Sequence, residues 1–365
     1  MILPTTYGAA LMLSLFTMLC WGSWANTQKL AGSKWRFELF YADYSLGVFL
    51  CALVAAFTFG TLNEKEITFV DSFAGIALRK IGWALAGGII FNVANVLLVA
   101  AIAISGMSVA FPIAIGLALI IGVVWNYFLN PQGNPAMLFG GTLLVGLAIV
   151  VNAIAYRAAH AAKRVIVSET QTASVRVAAD PSVNPKNRQR RKTAAMSVAT
   201  KGILISLISG VLMGAFYPFL QISMSDEGMA LAAYTAGFFF SIGILGSSVL
   251  IVPILMNFPI TGKPVEFSSY FAGTRGQHLL GLLGGIIWFA GTIANLASSS
   301  APRAANVGPA VSLALGQGAT MISAFWGLFV WKEFRDAPAQ VKVLLWAMIV
   351  LFLLGLTLVS LAPLH

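Results

Sequence analysis

Ten long apolar segments dominate this chain and constrain its fold more than any other feature. They occupy residues 7–28, 39–60, 81–104, 106–129, 136–156, 202–224, 230–256, 278–298, 306–331 and 340–362. Their lengths suit an α-helix crossing a hydrocarbon core, which takes about 20 residues for about 30 Å. Charged residues make up 9% of the chain, against roughly 25% in a soluble domain. We therefore predict an all-α integral membrane protein with ten transmembrane helices.

A long polar stretch at 157–201 divides the chain into halves of five apolar segments each. We predict an N-terminal half at 1–156, a basic linker at 157–201 and a C-terminal half at 202–365. The linker holds ten of the 22 Lys and Arg residues. Because cytoplasmic loops are enriched in Lys and Arg, the linker is predicted to be cytoplasmic and both termini to face outward. The basic cluster Lys186–Lys192 fits that topology signal better than a nucleic-acid-binding arm, so no nucleic-acid partner is expected.

One motif occurs in both halves, which indicates an internal repeat. Gly87–Ile90 recurs as Gly284–Ile287, 197 residues later, and Pro112 recurs as Pro309 at the same offset. Because five helices are an odd number, the second half would enter the membrane from the opposite side, which predicts an inverted repeat. This is a recurring plan of secondary transporters, whose substrate sites lie between the halves. The two prolines either kink the fourth and ninth helices or lie in their first turns.

Candidate substrate ligands are the amides, hydroxyls and aromatic rings inside the apolar segments: Ser23, Trp24, Asn26, Tyr41, Tyr44, Asn92, Asn95, Tyr234, Trp288, Thr292, Asn295 and Gln317. Helical spacing places Asn92 and Asn95 on one face. Asn95 corresponds to Thr292 at the 197-residue offset, and Tyr41 pairs with Tyr234 in a weaker match. The alternative for each polar residue is a helix–helix hydrogen bond of about 0.6–2 kcal/mol. The alternative for each aromatic residue is an interfacial belt.

Asp43 is the acid that lies clearly inside an apolar segment. A partly buried carboxylate can titrate near neutral pH, which makes Asp43 the candidate proton acceptor for symport. The alternative is an interfacial acid that pairs with Lys34 or Arg36 and anchors the helix end. His278, at the start of the eighth segment, is likewise either a proton shuttle or an interfacial residue.

Several kinds of soluble chemistry are excluded by what the sequence lacks. Thr261–Pro264 is the nearest approach to a phosphate-binding loop, and it lacks the first glycine and the final hydroxyl. Cys20 and Cys51 both lie in apolar segments, and no metal-ligand spacing occurs. No nucleophile and base are spaced for catalysis. We therefore expect no enzyme activity, no cofactor and no metal.

A set of short stretches carries a family resemblance: Gly22–Trp24, Tyr41–Ser45, Ala55–Gly60, Ala86–Ile90, Asn95, Asn126–Leu129, Tyr234–Ala236, Gln317, Phe325–Gly327, Glu333 and Arg335. On these residues the chain resembles the ureide permeases of the drug/metabolite transporter superfamily, near the bacterial glucose/ribose and rhamnose porters. The resemblance implies the ten-helix fold of that superfamily and a long cytoplasmic loop after the fifth helix. It also places the family's own residue types at Trp24, Asp43, Asn95 and Gln317. Thr292 stands about where the family has an Asn.

The function that the resemblance implies is proton-coupled uptake of small neutral heterocycles such as allantoin, uracil or xanthine. The expected location is a bacterial-type inner (plasma) membrane, and the expected partners are the substrate, protons and the lipid bilayer. In this hypothesis Trp24 and Trp288 stack on the substrate, Asp43 carries the proton, and the hydrogen bonds come from Asn95, Thr292, Asn295 and Gln317. A sugar porter fits amides and indoles equally well and is the main alternative. An exporter and a non-transporting receptor are further alternatives.

Overall fold

The protein is described by a computed structural model that covers residues 1–32, 34–62, 68–73, 75–175, 185–225, 230–259, 262–302, 305–335 and 337–365, with no side chains described for 107–108, 160 and 163–199. All regular structure within these ranges is helical. Ten of these helices are long and apolar enough to cross a membrane, which confirms the predicted class. The basic cluster Lys186–Lys192 lies outside the described side chains.

The ten spanning helices follow one another along the chain as predicted. They are α1 Tyr7–Ala31, α2 Phe37–Phe57, α3 Leu78–Ser105, α4 Val109–Leu129, α5 Pro135–Ala159, α6 Thr200–Ser223, α7 Ala233–Asn257, α8 Arg275–Ser299, α9 Pro309–Val330 and α10 Ala339–Leu364. Each end lies within three residues of the prediction, because the apolar run and the hydrocarbon thickness set the same length. The α5 helix continues beyond its span to Val175, and the α6 helix begins at Pro185, so part of the linker is helical.

Two of the spans are interrupted. In α1 the helix Tyr7–Ser23 is followed by a separate short helix, Ala25–Ala31. In α9 the helices Pro309–Gly316 and Ala319–Phe325 are followed by a π-helical turn at Trp326–Val330. Such π-turns leave the regular hydrogen-bond pattern and often occur at functional sites. Both interrupted helices border the cavity described below.

Glycines bring helices of the two halves into backbone contact. On α2, a Cβ atom on Gly47 would overlap the carbonyl of Leu282, and one on Gly285 of α8 would overlap the carbonyl of Tyr44. Only glycine leaves room for such an approach. The backbones of α2 and α8 therefore approach each other at a distance that a side chain at either glycine would prevent.

The α3–α7 pair repeats this packing. A Cβ atom on Gly88 would overlap the carbonyl of Phe240, and one on Gly243 would overlap the carbonyl of Leu85. Gly88 thus makes in the α3–α7 pair the contact that Gly285 makes in the α2–α8 pair, as the repeat predicts. The contacts match Phe240 with Tyr44, so the predicted pairing of Tyr41 with Tyr234 is in the wrong register.

The helix packing as a whole is also paired. The contacts α3–α6, α4–α6 and α3–α7 have counterparts in α8–α1, α9–α1 and α8–α2, while α5 packs against α10. Exchanging the first five helices for the last five therefore leaves this pattern unchanged. The inversion of one half relative to the other stays a prediction.

The two prolines of the sequence repeat are not structural counterparts. Pro309 is the first residue of α9, after Gly308 with a φ of 78°, where a missing N–H leaves no hydrogen bond unmade. Pro112 lies inside the helix Met107–Leu129, where its ring removes a backbone hydrogen bond. The connection before α9 is longer than the one before α4, so α9 begins later relative to the sequence repeat. Pro112 therefore lies inside its helix, whereas Pro309 lies in the first turn of its helix.

Candidate functional site

A cavity of about 390 Å³ lies between the two halves and is bordered by α1, α3, α4, α5, α6, α8 and α9. It extends along the linker-side ends of its helices, where Gln28, Ile102 and Tyr156 line it. Its size falls within the range of about 300–1,000 Å³ that is common for small-molecule sites. Four of the predicted ligands line it: Trp24, Asn95, Trp288 and Gln317.

Stacked aromatic rings form one wall of this cavity. Trp288 of α8 stacks on Phe91 of α3, with ring centroids 4.2 Å apart and 25° between the planes. The ring of Trp21 of α1 lies nearly parallel to Trp288, with 12° between the planes and ring centroids 6.2 Å apart. The three rings come from three helices, and all of them line the cavity. A flat apolar surface of this kind favours the face of a planar ligand.

Asn95 is connected to α2 and α7 by a chain of buried hydrogen bonds. Its Nδ2 donates to the Tyr41 hydroxyl at 3.1 Å, and that hydroxyl donates to Asn92 Oδ1 at 2.6 Å. Asn92 Nδ2 donates to the hydroxyls of Ser247 and Ser248 on α7 at 2.8 and 3.0 Å. Tyr41 and Asn92 are completely buried. They therefore position Asn95 instead of lining the cavity themselves.

The direction of this chain follows from its α7 end. Ser247 and Ser248 both donate their hydroxyl protons to backbone carbonyls of α7, so they can only accept from the Asn92 amide. The Asn92 oxygen then faces Tyr41 and accepts its proton. The Tyr41 oxygen is left to accept from Asn95, because a hydroxyl donates only once. Asn95 thus donates through Nδ2, and no donor among the described residues contacts its acceptor Oδ1.

Two predicted ligands on α8 make helix–helix contacts. Thr292 Oγ1 accepts a hydrogen bond from the Trp21 indole at 3.1 Å, which holds that ring in the aromatic wall. Asn295 Nδ2 donates to the Ser312 carbonyl of α9 at 3.0 Å. Both side chains are fully buried away from the cavity lining. Thr292 is therefore placed to act on the site through Trp21.

The remaining predicted ligands also lie away from the cavity lining. Ser23 accepts a hydrogen bond from the Trp326 indole in the π-turn of α9 at 2.9 Å, and Asn26 accepts one from the Trp331 indole directly after that turn at 2.6 Å. Tyr234 donates to the Ile2 carbonyl at 2.7 Å. The ring of Tyr44 packs against the rings of Trp24, Tyr41 and Trp288.

Sequence reasoning missed Asn152, Gln28 and Tyr156, all of which line the cavity. Asn152 and Tyr156 are four residues apart on α5, so they share a helix face. An amide in the middle of an apolar segment was the available signal for Asn152. No such signal marked Tyr156 or Gln28, which lie near helix ends where polar residues are common.

Asp43 lies at the α2–α8 contact, outside the cavity lining. Its two carboxylate oxygens contact the Tyr270 hydroxyl at 2.5 Å and His278 Nδ1 at 2.9 Å. Gly281 leaves the space that the Asp43 side chain occupies. The predicted alternative partner Arg36 pairs instead with Glu38 at 2.6 Å. Burial and the neighbouring carboxylate raise the pKa of Tyr270, which keeps its phenol protonated as a donor.

A second polar group joins α1, α5 and α9 near the linker side. Lys29 pairs with Glu333 at 2.6 Å and lies 4.2 Å from the centre of the Trp331 ring. Tyr156 donates to the other oxygen of Glu333 at 3.5 Å. Glu333 therefore links α1 to α5. Across the described part of the chain, no three His, Cys, Asp or Glu side chains come together as a metal site would require.

Another cavity, of about 870 Å³, lies at the opposite ends of α4, α6 and α8. On α6, Phe216 lines the first cavity and Gln221 lines this one. Tyr217 and Leu220 lie between them and are completely buried. Tyr217 also donates to Ser299 Oγ at 3.3 Å, which joins α6 to α8. These buried residues separate the two cavities along α6.

Comparison with known proteins gives consistent matches along the chain. The profile described as Ureide permease matches residues 40–198 and 184–362. Ureide permease 2 of Arabidopsis thaliana is 25% identical, over 97% of this chain and 96% of its own. Ureide permease 1 of the same plant is 24% identical, over 95% of both chains. A solved structure described only as the crystal structure of a protein covers 97% of this chain and 98% of its own, with a TM-score of 0.58 at 13% identity, which shows a shared fold.

Proposed function

The chain belongs to the ureide permease family, and from this we propose that it imports a small neutral ureide or nucleobase together with protons. The relatives at 25% and 24% identity that span nearly its whole length are named ureide permeases. Ten membrane-spanning helices in two halves suit a transporter, whose substrate site lies between the halves. The proposed substrates are allantoin, uracil and xanthine.

The observation that carries this proposal is the combination of an aromatic wall and a fixed amide in one cavity. Trp288 and Phe91 offer a flat stacked surface, and Asn95 offers a hydrogen-bonding group whose orientation is set by Tyr41 and Asn92. A planar heterocycle with ring N–H and C=O groups uses both. Trp24 and Gln317 line the same cavity and complete its polar and aromatic surface.

We further propose that the two halves form an inverted repeat and exchange their shapes during transport. The paired glycine contacts of α2–α8 and α3–α7 support this, as does the paired pattern of helix packing. In the proposed orientation the linker is cytoplasmic, both termini are outside, and the membrane is a bacterial-type inner membrane. The cavity would then be reached from the cytoplasm, and the buried layer around Tyr217 would close it from outside.

For proton coupling we propose the pair of Asp43 and His278. The Asp43 side chain is 3% exposed and the His278 side chain is 26% exposed, so the imidazole connects a buried acid to water. Because α8 carries both His278 and Trp288, a change in the charge of this pair would act on the cavity through that helix. Tyr270 supplies a permanent hydrogen-bond donor to the carboxylate.

The decisive experiment is uptake into proteoliposomes that contain the purified full-length protein. Labelled allantoin, uracil and glucose are offered with and without an inward proton gradient. We expect accumulation of allantoin or uracil only with the gradient. Asp43→Asn should remove this accumulation and retain exchange of substrate across the membrane.

Other results would contradict the proposal in different ways. Uptake of glucose alone would identify a sugar porter. Equal accumulation with and without the gradient would refute proton coupling. Accumulation that survives Asp43→Asn would leave Asp43 with an anchoring role between α2 and α8.

A further inference from the structure

The α9 helix borders the main cavity with a row of polar side chains. Gln317, Thr320 and Ser323 follow one another at intervals of three residues, and all of them line the cavity. Thr320 and Ser323 belong to the helical part Ala319–Phe325, so they share a face and lie about 4.5 Å apart along the helix axis. Gln317 lies in the interruption just before that part.

The hydroxyls of this row differ from most others inside the protein. A hydroxyl in a described spanning helix usually donates to a carbonyl of its own helix, as Thr142 does to Leu138 at 2.7 Å. The side chains of Gln317, Thr320 and Ser323 bond no other group in the described ranges. The Thr320 hydroxyl and the Gln317 amide are not among the fully buried polar atoms without a partner, and Ser323 is exposed. A ligand in the cavity can therefore reach them.

The interruption of α9 explains the free Thr320 hydroxyl. The Thr320 amide donates to the Gln317 carbonyl at 3.3 Å, three residues back, instead of to Gly316. The Gly316 carbonyl, which a threonine four residues later can bond in a regular helix, is therefore out of the regular position. Interrupted helices of this kind line the substrate sites of transporters.

We propose that Thr320 and Ser323 are substrate-binding residues whose hydroxyls donate hydrogen bonds to two carbonyl oxygens of the transported ring. This inference rests on the proposed function and names the chemistry that the site selects. Water can bond these hydroxyls while the cavity is empty, so a ligand that displaces the water has to offer acceptors of its own. Imide and ureide rings carry two carbonyl oxygens on either side of one ring nitrogen, and two hydroxyls on adjacent turns can meet both.

The cavity favours carbonyl oxygens over charged ones. None of the described residues that line it is charged. A carboxylate or a phosphate would lose its hydration there without gaining an opposite charge, which is unfavourable. Gln317 adds an amide donor beside the two hydroxyls. The polar row of α9 therefore suits a neutral ring that presents carbonyl groups.

The test exchanges oxygen for sulfur on the ligand and removes the hydroxyls from the protein. Uracil, 2-thiouracil and 4-thiouracil compete with the labelled substrate, allantoin or uracil, for counterflow by the full-length protein in proteoliposomes. Sulfur keeps the shape of the ring and accepts hydrogen bonds only weakly, so the wild type should prefer uracil. Thr320→Val and Ser323→Ala should each weaken uracil binding about 10-fold, the factor that corresponds to about 1.4 kcal/mol, and should reduce this preference.

Two variants serve as controls. Thr320→Ser keeps the hydroxyl and should retain the affinity of the wild type for uracil. Thr142→Val removes a hydroxyl from a residue that is 5% exposed, bonds its own helix and lies outside the cavity lining. Its preference for uracil should equal that of the wild type.

Several results would overturn the inference while the transport function stands. One is an unchanged affinity for uracil in folded Thr320→Val and Ser323→Ala proteins. Another is an equal affinity of the wild type for uracil and both thio analogues. Failure of both variants to fold would assign the two hydroxyls a structural role and refute the inference. Uptake of neither allantoin nor uracil by the wild type would refute the proposed function itself.

Discussion

Replacing Tyr41 by Phe tests whether the buried hydrogen-bond chain orients the Asn95 amide. The change removes one hydroxyl that donates to Asn92 and accepts from Asn95, in a place with no solvent exposure. Asn92 Oδ1 then has no donor, and an unsatisfied buried group of this kind costs about 1–3 kcal/mol. Asn95 loses less, because it lines the cavity and can reach water there.

The effect on transport follows from the freed amide. Without Tyr41, the Asn95 oxygen and nitrogen can exchange places, and the substrate then loses one correctly oriented hydrogen bond. A neutral hydrogen bond contributes about 0.5–1.5 kcal/mol, so uracil should bind about 2-fold to 13-fold more weakly. Affinity is measured by substrate counterflow in proteoliposomes, and stability by thermal unfolding in detergent.

Tyr234→Phe is the matched control for this experiment. Tyr234 donates a single hydrogen bond to the Ile2 carbonyl, far from the cavity lining. Ile2 is 45% exposed, so water can replace the lost donor. We expect a smaller loss of stability and an unchanged affinity for uracil. A Tyr41→Phe protein with the affinity of the wild type and the stability of this control would refute the reasoning.

Three further predictions address packing, coupling and stacking. Gly285→Ala should destabilise the protein by about 1–3 kcal/mol, because the added methyl group overpacks the α2–α8 contact. The control Gly82→Ala has open space around it and should stabilise the protein by about 0.5–1 kcal/mol. Equal thermal unfolding temperatures of the two variants would contradict the close contact. His278→Asn places an amide N–H where His278 Nδ1 contacts Asp43 but cannot take up a proton, so gradient-driven accumulation should fail while exchange continues. Persistent accumulation would exclude His278 from coupling. Trp288→Leu should weaken uracil binding by about 1–3 kcal/mol, the worth of one stacked base; an unchanged affinity in counterflow would show that Trp288 does not stack on the substrate.

The helices could be predicted from the sequence because one physical quantity, the thickness of the hydrocarbon core, sets their length. The site could be predicted only in part. Asn92 and Asn95 share a helix face, and the sequence marks both as polar groups inside the membrane. Asn92 is bound by Ser247 and Ser248 of α7, so only Asn95 lines the cavity. Such a choice is made by packing between distant segments and leaves no trace in local periodicity.

The proline repeat shows a different limit. Pro112 and Pro309 match in sequence at a constant offset, yet one lies inside its helix and the other begins its helix. A connection of different length before α9 moves the helix relative to the sequence match. The glycines were the better guide to register, because a close backbone contact cannot shift by even one residue.

The glycine contacts also have a consequence for how the protein is made. Gly47 on α2 and Gly88 on α3 reach their closest partners, Leu282 and Phe240, only in the second half of the chain. During synthesis the first five helices therefore enter the membrane with these surfaces unmatched. The close glycine contacts can form only after α7 and α8 have been inserted, so the packing of both halves is completed at the same stage. Neither half, made alone, would contain the tightest packing found in the finished molecule.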